Sequence, residues 1–420
     1  MMKTYAGIRG TYDFNPSSSL LFNEISQKAR NIFKLFGYKE IILPILEEEG
    51  VFIRGVGETT DIVEKQIFRL TKRSDADTSI VLRPEGTAQV VRYYLENALY
   101  KQSDLHKFFY IGPIFRGERP QKGRLRQFHH IGVEAIGSSS IYLDAEIISL
   151  AVNILDAIGV SEKELNVNSL GCIQDKKHFS EHLEQSLQTR KPELCPDCQR
   201  RLEKNPLRII DCKEEQCRHI VSTLKLNQEH LCPDCKKQFE DLLALLGALN
   251  IKYTYAPFLV RGLDYYTNTV FEITSKSLGA QDAIGAGGRY NNLVKDLGGP
   301  DIPATGFALG IERILLLLKE DLPVENIKVF VASTGESLLP EAFKVLKTLR
   351  QENIASDTDY CAKSLKGQLR YAQALGARFV VILGEEEQKE GAVILKDMMK
   401  STQEKIPKAE LVAKLKEKFS

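Results

Sequence analysis

Two apolar, aromatic-rich runs, 107–111 and 127–136, flank the polar stretch Arg116-Gly-Glu-Arg-Pro-Gln-Lys-Gly-Arg-Leu-Arg126. No other feature restricts the fold as strongly. Two such runs joined through Pro120 and Gly123 read as a long antiparallel hairpin, because those residues supply the reversal. Strands at 258–260, 269–274 and 304–309, with a glycine-rich turn at 285–288, extend the pattern. Over 19–36, Leu21, Ile25, Ala29, Ile32, Phe33 and Phe36 recur at helical spacing, and Gly37 follows as a stop. Further amphipathic helices are expected at 87–100, 144–158 and 311–319, the second entered by Asp144 and closed by Gly159. Helices around mainly hairpin-connected strands favour an α+β fold over a doubly wound parallel sheet.

The tail follows a different rule. Strands at 328–332, 355–359 and 378–383 alternate with helices at 340–351 and 364–375, which makes 327–420 an α/β module. Pro323 and Asn326 mark the linker before it. The polar, helical, cysteine-bearing stretch 175–248 reads as an insertion, leaving 1–174 and 249–325 as the core. A balance of 57 basic against 56 acidic residues excludes a globally basic nucleic-acid coat but leaves room for a local patch. No apolar run approaches the roughly 18 residues of a membrane span. The start, MMKTYAGIRGTYDF, lacks the apolar core of a secretory signal, so a cytoplasmic protein without membrane contact is expected.

Residues 116–126 place Arg116, Arg119, Lys122, Arg124 and Arg126 against one carboxylate, Glu118. Such a tip suits phosphate or nucleic acid, since guanidinium forks hold phosphate oxygens in pairs; a merely solvated hairpin would look the same. Arg261-Gly-Leu-Asp-Tyr-Tyr266 is either a polar ligand pocket with phenol handles or a turn with buried tyrosines. Leu82-Arg-Pro-Glu-Gly-Thr87 reads as a strand end, a turn and a helix start capped by Thr87, with Glu85 free to meet a ligand cation. Arg313, one turn into the 311–319 helix, either points at an anion near the sheet or pairs with Glu312 or another surface carboxylate. His129 and His130 lie on alternate faces of one strand, so at most one of them faces a site.

Cys195-Pro-Asp-Cys198 and Cys232-Pro-Asp-Cys235 are two C-x₂-C knuckles, either giving four thiolates together to one structural zinc or standing as reduced thiols on a helical insertion. Cys212 and Cys217 are then spare ligands or free thiols.

These segments resemble a known family. Phe115-Arg116-Gly-Glu118 within a hairpin is similar to motif 2 of the class II aminoacyl-tRNA synthetases, Gly306-Phe-Ala-Leu-Gly-Ile-Glu-Arg313 to motif 3, and the helix and strand ending at Pro44 to motif 1. The 261–266 run and Ala286-Gly-Gly-Arg-Tyr290 resemble the two signature motifs of the histidyl-tRNA synthetases, bacterial type, and Arg83–Thr87 their amino-acid loop. The resemblance implies a class II antiparallel sheet flanked by helices, a helical insertion and a C-terminal anticodon-binding domain. It also implies a ligase that joins L-histidine and ATP into histidyl-adenylate, with Mg²⁺, and passes the histidyl group to the 3′-terminal ribose of tRNA(His).

By motif match, Arg116 would hold the α-phosphate and the substrate carboxylate, Glu118 would meet adenine or a metal, Phe128 would stack on adenine, and Arg124 and Arg313 would grip the outer phosphates. Arg261 would stabilise charge developing at the α-phosphate. Glu85 and Thr87 would take the ammonium, Glu134 and Tyr266 the imidazole, with Tyr265 beside them. His130 stands where the family commonly has glutamine; a neutral ring would accept a hydrogen bond from the ammonium. Arg119, Gln121 and Lys122 would reach the tRNA acceptor end. The anticodon module carries only 16 basic against 13 acidic residues over 327–420, so charge alone does not suggest RNA. Motif 1 implies a homodimer. Two other readings stand beside this one: a non-catalytic regulatory paralogue of a phosphoribosyltransferase, and a zinc-bearing RNA-binding protein.

Overall fold

The structure, a computed structural model, describes residues 5–57, 60, 62–71, 78–224, 228–279, 281–318 and 327–419; the expected linker residues Pro323 and Asn326 lie outside them. The chain divides into two compact units, Met1–Asp321 and Leu322–Ser420.

In the first unit the hairpin is longer than the sequence suggests. β1 (Lys39–Glu40) runs parallel to β2 (His106–Phe115), which pairs in antiparallel register with β3 (Gln127–Ile136) over ten residues, from His106–Ile136 to Phe115–Gln127. With β4 (Glu164–Ser169), β5 (Thr254–Tyr255), β6 (Thr267–Thr274), β7 (Ala283–Arg289) and β8 (Ala304–Gly310) they form one eight-stranded sheet. Its order is β1-β2-β3-β8-β7-β6-β4-β5, antiparallel except for the parallel pairs at its two edges. A small sheet of Leu46–Glu48, Phe68–Arg69 and Ile80–Leu82 stands beside it. Residues 285–288 are therefore the middle of a strand rather than a turn. Glycine is required there by crowding: a Cβ on Gly287 would run into the Gly306 carbonyl and into Phe307 and Phe271.

Alternation on β3 sets the two faces of the sheet. Ile131, Val133 and Ala135 join a core with α1 (Pro16–Leu35) and, after α2 (Thr87–Glu96), with α3 (Ile141–Ile158). Asn15 caps α1, accepting the Ser18 amide at 2.9 Å, with Pro16 in the first turn where a missing N–H costs nothing. α3 starts three residues earlier than the sequence suggests, capped by Ser140, and it ends as expected on Gly159 at φ +101°. Asp144 does not cap it. Its carboxylate is buried and accepts from Arg289 at 2.8 Å and from Thr269 at 3.0 Å. On the opposite face Tyr110, Ile136, Tyr265, Tyr266 and Tyr290 form a second core with α2.

Between 173 and 248 the described residues form α4 (Ile173–Gln188), α5 (Pro196–Lys204), α6 (Leu207–Ile210), α7 (Glu215–Ser222) and α8 (Pro233–Ala248). α8 adds Phe239, Leu242 and Leu246 to the first core, which anchors the segment on the sheet. α9 (Ile311–Leu317) then leaves β8 directly.

In the second unit, β9 (Val329–Ser333), β10 (Ser356–Thr358) and β11 (Phe379–Leu383) are parallel, joined through α10 (Leu339–Gln351) and α11 (Leu365–Ala374). An antiparallel hairpin, β12 (Ala392–Asp397) and β13 (Thr402–Pro407), and α12 (Leu411–Phe419) complete it; the strand order is β10-β9-β11-β12-β13. Both faces of this sheet are covered, each by its own apolar cluster.

Candidate active site

Over the even-numbered face of β3 lies one cleft, and it gathers side chains from distant parts of the chain. Glu85, Thr87, Arg116, Glu118, Arg124, Phe128, His130, Arg261, Tyr265, Tyr266 and Arg313 all line it. Its floor is small: Gly306, Ala308 and Gly310 of β8 and Ala286 of β7 leave the space a ligand needs.

One end is acidic and phenolic. The Glu134 carboxylate is buried beneath the cleft, where it accepts from the Thr87 hydroxyl at 2.6 Å and from the Tyr290 hydroxyl. Burial first, and then the nearby Glu85, raise its pKa well above the ordinary carboxylate range. Glu85 caps α2, accepting the amides of Thr87 at 2.6 Å and Ala88 at 2.9 Å. Thr87 is therefore not the cap, and its hydroxyl is free to serve Glu134. Tyr265 and Tyr266 are buried with ring centroids 4.7 Å apart, and Tyr265 meets Tyr290 edge-on. Burial pushes the Tyr266 phenol up to about 12, so it stays a donor. Between Gly86 and Gly132 sits the Tyr110 ring, which a Cβ at either position would strike.

The other end is cationic. The Arg116 guanidinium lies 5.4 Å from the Phe128 ring centroid and its Nε donates to the Pro84 carbonyl at 2.9 Å. Arg124 pairs with Glu118 at 2.5 Å. Arg313 does not pair with Glu312: its Nε donates to the Gly123 carbonyl at 3.0 Å and its Nη1 to the Ala283 carbonyl, which ties α9 to the hairpin loop and to β7. Arg261 holds Glu272 at 2.5 Å through Nη1, while its Nε is buried without a partner. The Nδ1 of His130 is likewise buried and unpartnered. Burial, and then Arg116 and Arg313, hold that imidazole well below its ordinary value, so His130 is neutral. Unpaired buried polar atoms in a cleft are the mark of groups that a ligand completes.

His129 lies on the other face of β3 and stays outside the cleft: its backbone N–H and ring each meet Glu312 at 2.8 Å, beside Phe14 and Phe22. Arg119, Gln121 and Lys122 do not join the cleft either; they stand at the hairpin tip, where Gln121 and Arg124 close the turn over Gly123 at φ +73°. Arg83 is structural, buried and donating to the carbonyls of Leu43 and Pro113. Tyr290 and Tyr110 are site residues that composition and spacing do not single out, because their partners lie far away in the chain.

The cysteines need a correction. The two knuckles do not converge on one point. Cys195 and Cys198 meet Cys212 and Cys217, whereas Cys232 and Cys235 meet Cys172 and Asp175. The reason is the helical layout: the 195 knuckle opens α5 and the 232 knuckle opens α8, and each faces the helix start nearest to it.

Comparison with known proteins agrees in one direction. A family model described as histidyl-tRNA synthetase matches residues 10–314, and one described as anticodon binding domain matches 328–418. A histidine–tRNA ligase of Halothermothrix orenii is 46% identical over 411 residues, covering 97% of this chain and 98% of its own. One of Pelotomaculum thermopropionicum is 44% identical, covering 98% of this chain and 97% of its own. The apo histidyl-tRNA synthetase of S. aureus superposes with a TM-score of 0.81 at 33% identity, over 98% of this chain and 100% of its own.

Proposed function

Because the chain belongs to the histidyl-tRNA synthetase family, we propose that the cleft holds histidine at its acidic end and ATP at its cationic end, with the reacting atoms meeting near Arg116. The activity is that of a histidine–tRNA ligase: histidine and ATP give histidyl-adenylate and pyrophosphate, and the histidyl group passes to the 3′-terminal ribose of tRNA(His). The observation that carries the assignment of ends is the buried Glu134 with its two hydroxyl donors facing a set of arginines across one floor.

In this reading Glu134 and Tyr266 bond the imidazole, with Tyr265 alongside, and Glu85, Thr87 and neutral His130 surround the ammonium. A wrong side chain would leave Glu134 and the phenols unpaired, which discriminates by about 10⁴ or more without editing. Arg116 draws the histidine carboxylate and the α-phosphate together. One carboxylate oxygen forms the new bond to phosphorus while the bond to the pyrophosphate oxygen breaks. Negative charge gathers on the α-phosphate oxygens and the leaving group. Arg261 and Arg116 meet the first, Arg124 and Arg313 the second, and fixed cations of this kind stabilise a charged transition state without reorganising. Phe128, with Arg116 above it, supports adenine stacking.

Mg²⁺ would enter with ATP and neutralise phosphate charge. Glu118 lines the cleft at its cationic end, paired with Arg124, so it is a residue that such an ion would meet. Arg119, Gln121 and Lys122 at the hairpin tip are placed to meet the tRNA acceptor end. Residues 1–174 with 249–325 act as the catalytic core, 175–248 as the insertion and 327–420 as the anticodon-binding domain. A homodimer built on the motif 1 segment is supported by the exposure of Leu35, Ile42, Ile45 and Leu46. A cytoplasmic location accords with the activity; no described helix is long and apolar enough to cross a membrane.

The test is ATP–pyrophosphate exchange with each of the twenty amino acids offered singly, without tRNA. Exchange with histidine alone, largely lost in Arg261→Ala, is the expected result. No exchange with any amino acid from folded protein would overturn it in favour of a regulatory role.

A further inference from the structure

We infer that the helical insertion carries two structural zinc ions, one held by Cys195, Cys198, Cys212 and Cys217, the other by Cys172, Asp175, Cys232 and Cys235. Seven of the eight cysteines fall into these two groups, and within each group the ligand atoms lie within 4.8 Å of one another. In the first, the sulfurs of Cys195 and Cys212 are 3.9 Å apart. Four thiolates about 2.3 Å from a tetrahedral zinc sit about 3.8 Å from each other. A disulfide would need about 2.05 Å. The sulfurs are therefore arranged around a common centre rather than bonded in pairs.

The same local device recurs at each corner. Cys172, Cys195 and Cys232 are the residues that cap α4, α5 and α8, and Asp175, Cys198 and Cys235 stand at the third helical position of the same helices. Cys217 takes the equivalent position in α7. A residue pair spanning cap and third position presents two ligands side by side at the positive end of a helix, where thiolate is favoured. Backbone and side-chain donors already point at the sulfurs: the Cys195 amide reaches the Cys217 sulfur at 3.2 Å, and the Asn268 amide nitrogen reaches that of Cys235 at 3.5 Å. Such bonds orient and stabilise metal-bound thiolate. Asp175 is buried and accepts the amides of Cys172 and Cys232, which fixes its carboxylate between the two helix starts.

The segment also needs a staple. Helices α5, α6 and α7 have 9, 4 and 8 residues, and of the nine buried residues in their shared core three are the cysteines themselves. Helices this short are marginal without strong tertiary support, and a core of this size stabilises little unless a metal or disulfide assists it. Both corners lead to the 261–266 segment: Lys176 of α4 donates to the carbonyls of Asp264 at 2.5 Å and Tyr266 at 3.0 Å, and Arg208 of α6 reaches the Asp264 carboxylate at 3.0 Å.

The experiment is elemental analysis of the full-length protein after exhaustive exchange into metal-free buffer. About two zinc per chain are expected, falling to about one in Cys212→Ser and about one in Cys232→Ser, with Cys361→Ser, on the second unit, unchanged. Replacing zinc by cobalt in each single variant should give two different visible spectra, one for four sulfurs and one for three sulfurs with oxygen. Zinc below about 0.2 per chain, with the seven thiols reacting freely in the folded wild type, would overturn both sites. Zinc content unchanged by Cys232→Ser would overturn the second site, and content unchanged by Cys212→Ser the first.

Discussion

Tyr290→Phe removes one oxygen atom from a residue whose side chain is 1% exposed and whose hydroxyl donates to Glu134. Shape and packing stay as they are; Glu134 keeps the Thr87 hydroxyl and loses its second donor. A hydrogen bond to a charged group contributes about 1.5–3 kcal/mol. The loss falls on the carboxylate in the ionised form that an N–H-bearing ligand would draw out. Histidine binding should therefore weaken by that amount, about 10- to 150-fold in KM. With ATP placed at the other end, as proposed, its KM should hardly move. Pyrophosphate exchange measured against varied histidine and varied ATP separates the two, with circular dichroism confirming the fold. An unchanged histidine KM, or equal changes for both substrates, would refute the placement of Glu134 at the histidine end.

His130→Gln should keep near-wild-type histidine KM, since a neutral ring and an amide both accept a hydrogen bond. Because burial and three arginines, Arg116, Arg313 and Arg83, lower the His130 pKa, the unfolded chain takes up this proton first, and stability is lost as pH falls below about 6.5. Melting curves from pH 7.5 to 5 should therefore fall less steeply for His130→Gln than for the wild type. Asp144→Ala strands a guanidinium that is 3% exposed and should cost about 3–5 kcal/mol in urea unfolding; a loss below about 1 kcal/mol would show that the carbonyls of Ser138 and Ser140 suffice. Gly306→Ala drives a Cβ into the Val133 carbonyl and the Glu134 carboxylate, so exchange should fall at least tenfold through histidine KM, with β3 and β8 otherwise paired as before.

The hairpin is legible in the sequence because its information is local: apolar alternation on both sides of a turn that Pro120 and Gly123 force. The same holds for α1, whose apolar spacing and flanking Gly37 mark it without any distant partner. Where the sequence misleads, a distant neighbour decides. Gly285 to Gly288 look like a turn, but they are a strand thinned to admit Phe271 and Phe307. Asp144 looks like a helix entry, but Arg289, 145 residues on, claims it. Tyr290 gives no local sign of its bond to Glu134, 156 residues away. The cysteine knuckles suggest metal ligands or reduced thiols, and their spacing cannot say which helix starts lie side by side. The hairpin β12–β13 escapes a reading by pattern, for want of strong alternation in a lysine- and glutamine-bearing edge. The assignment of ligand roles comes from motif resemblance, since an arginine-rich loop by itself fits phosphate and plain solvation equally.

Strand β3 behaves as a ruler. Phe128, His130 and Glu134 project from one side of it, and six residues at about 3.4 Å each set roughly 20 Å between the first and the last. Ile131, Val133 and Ala135 project from the other side into the helical core. Inserting a single residue at 129 would turn the apolar set upward into the cleft and the polar set downward into the oily layer. Chemistry on such a strand can be edited letter by letter but never shifted in frame.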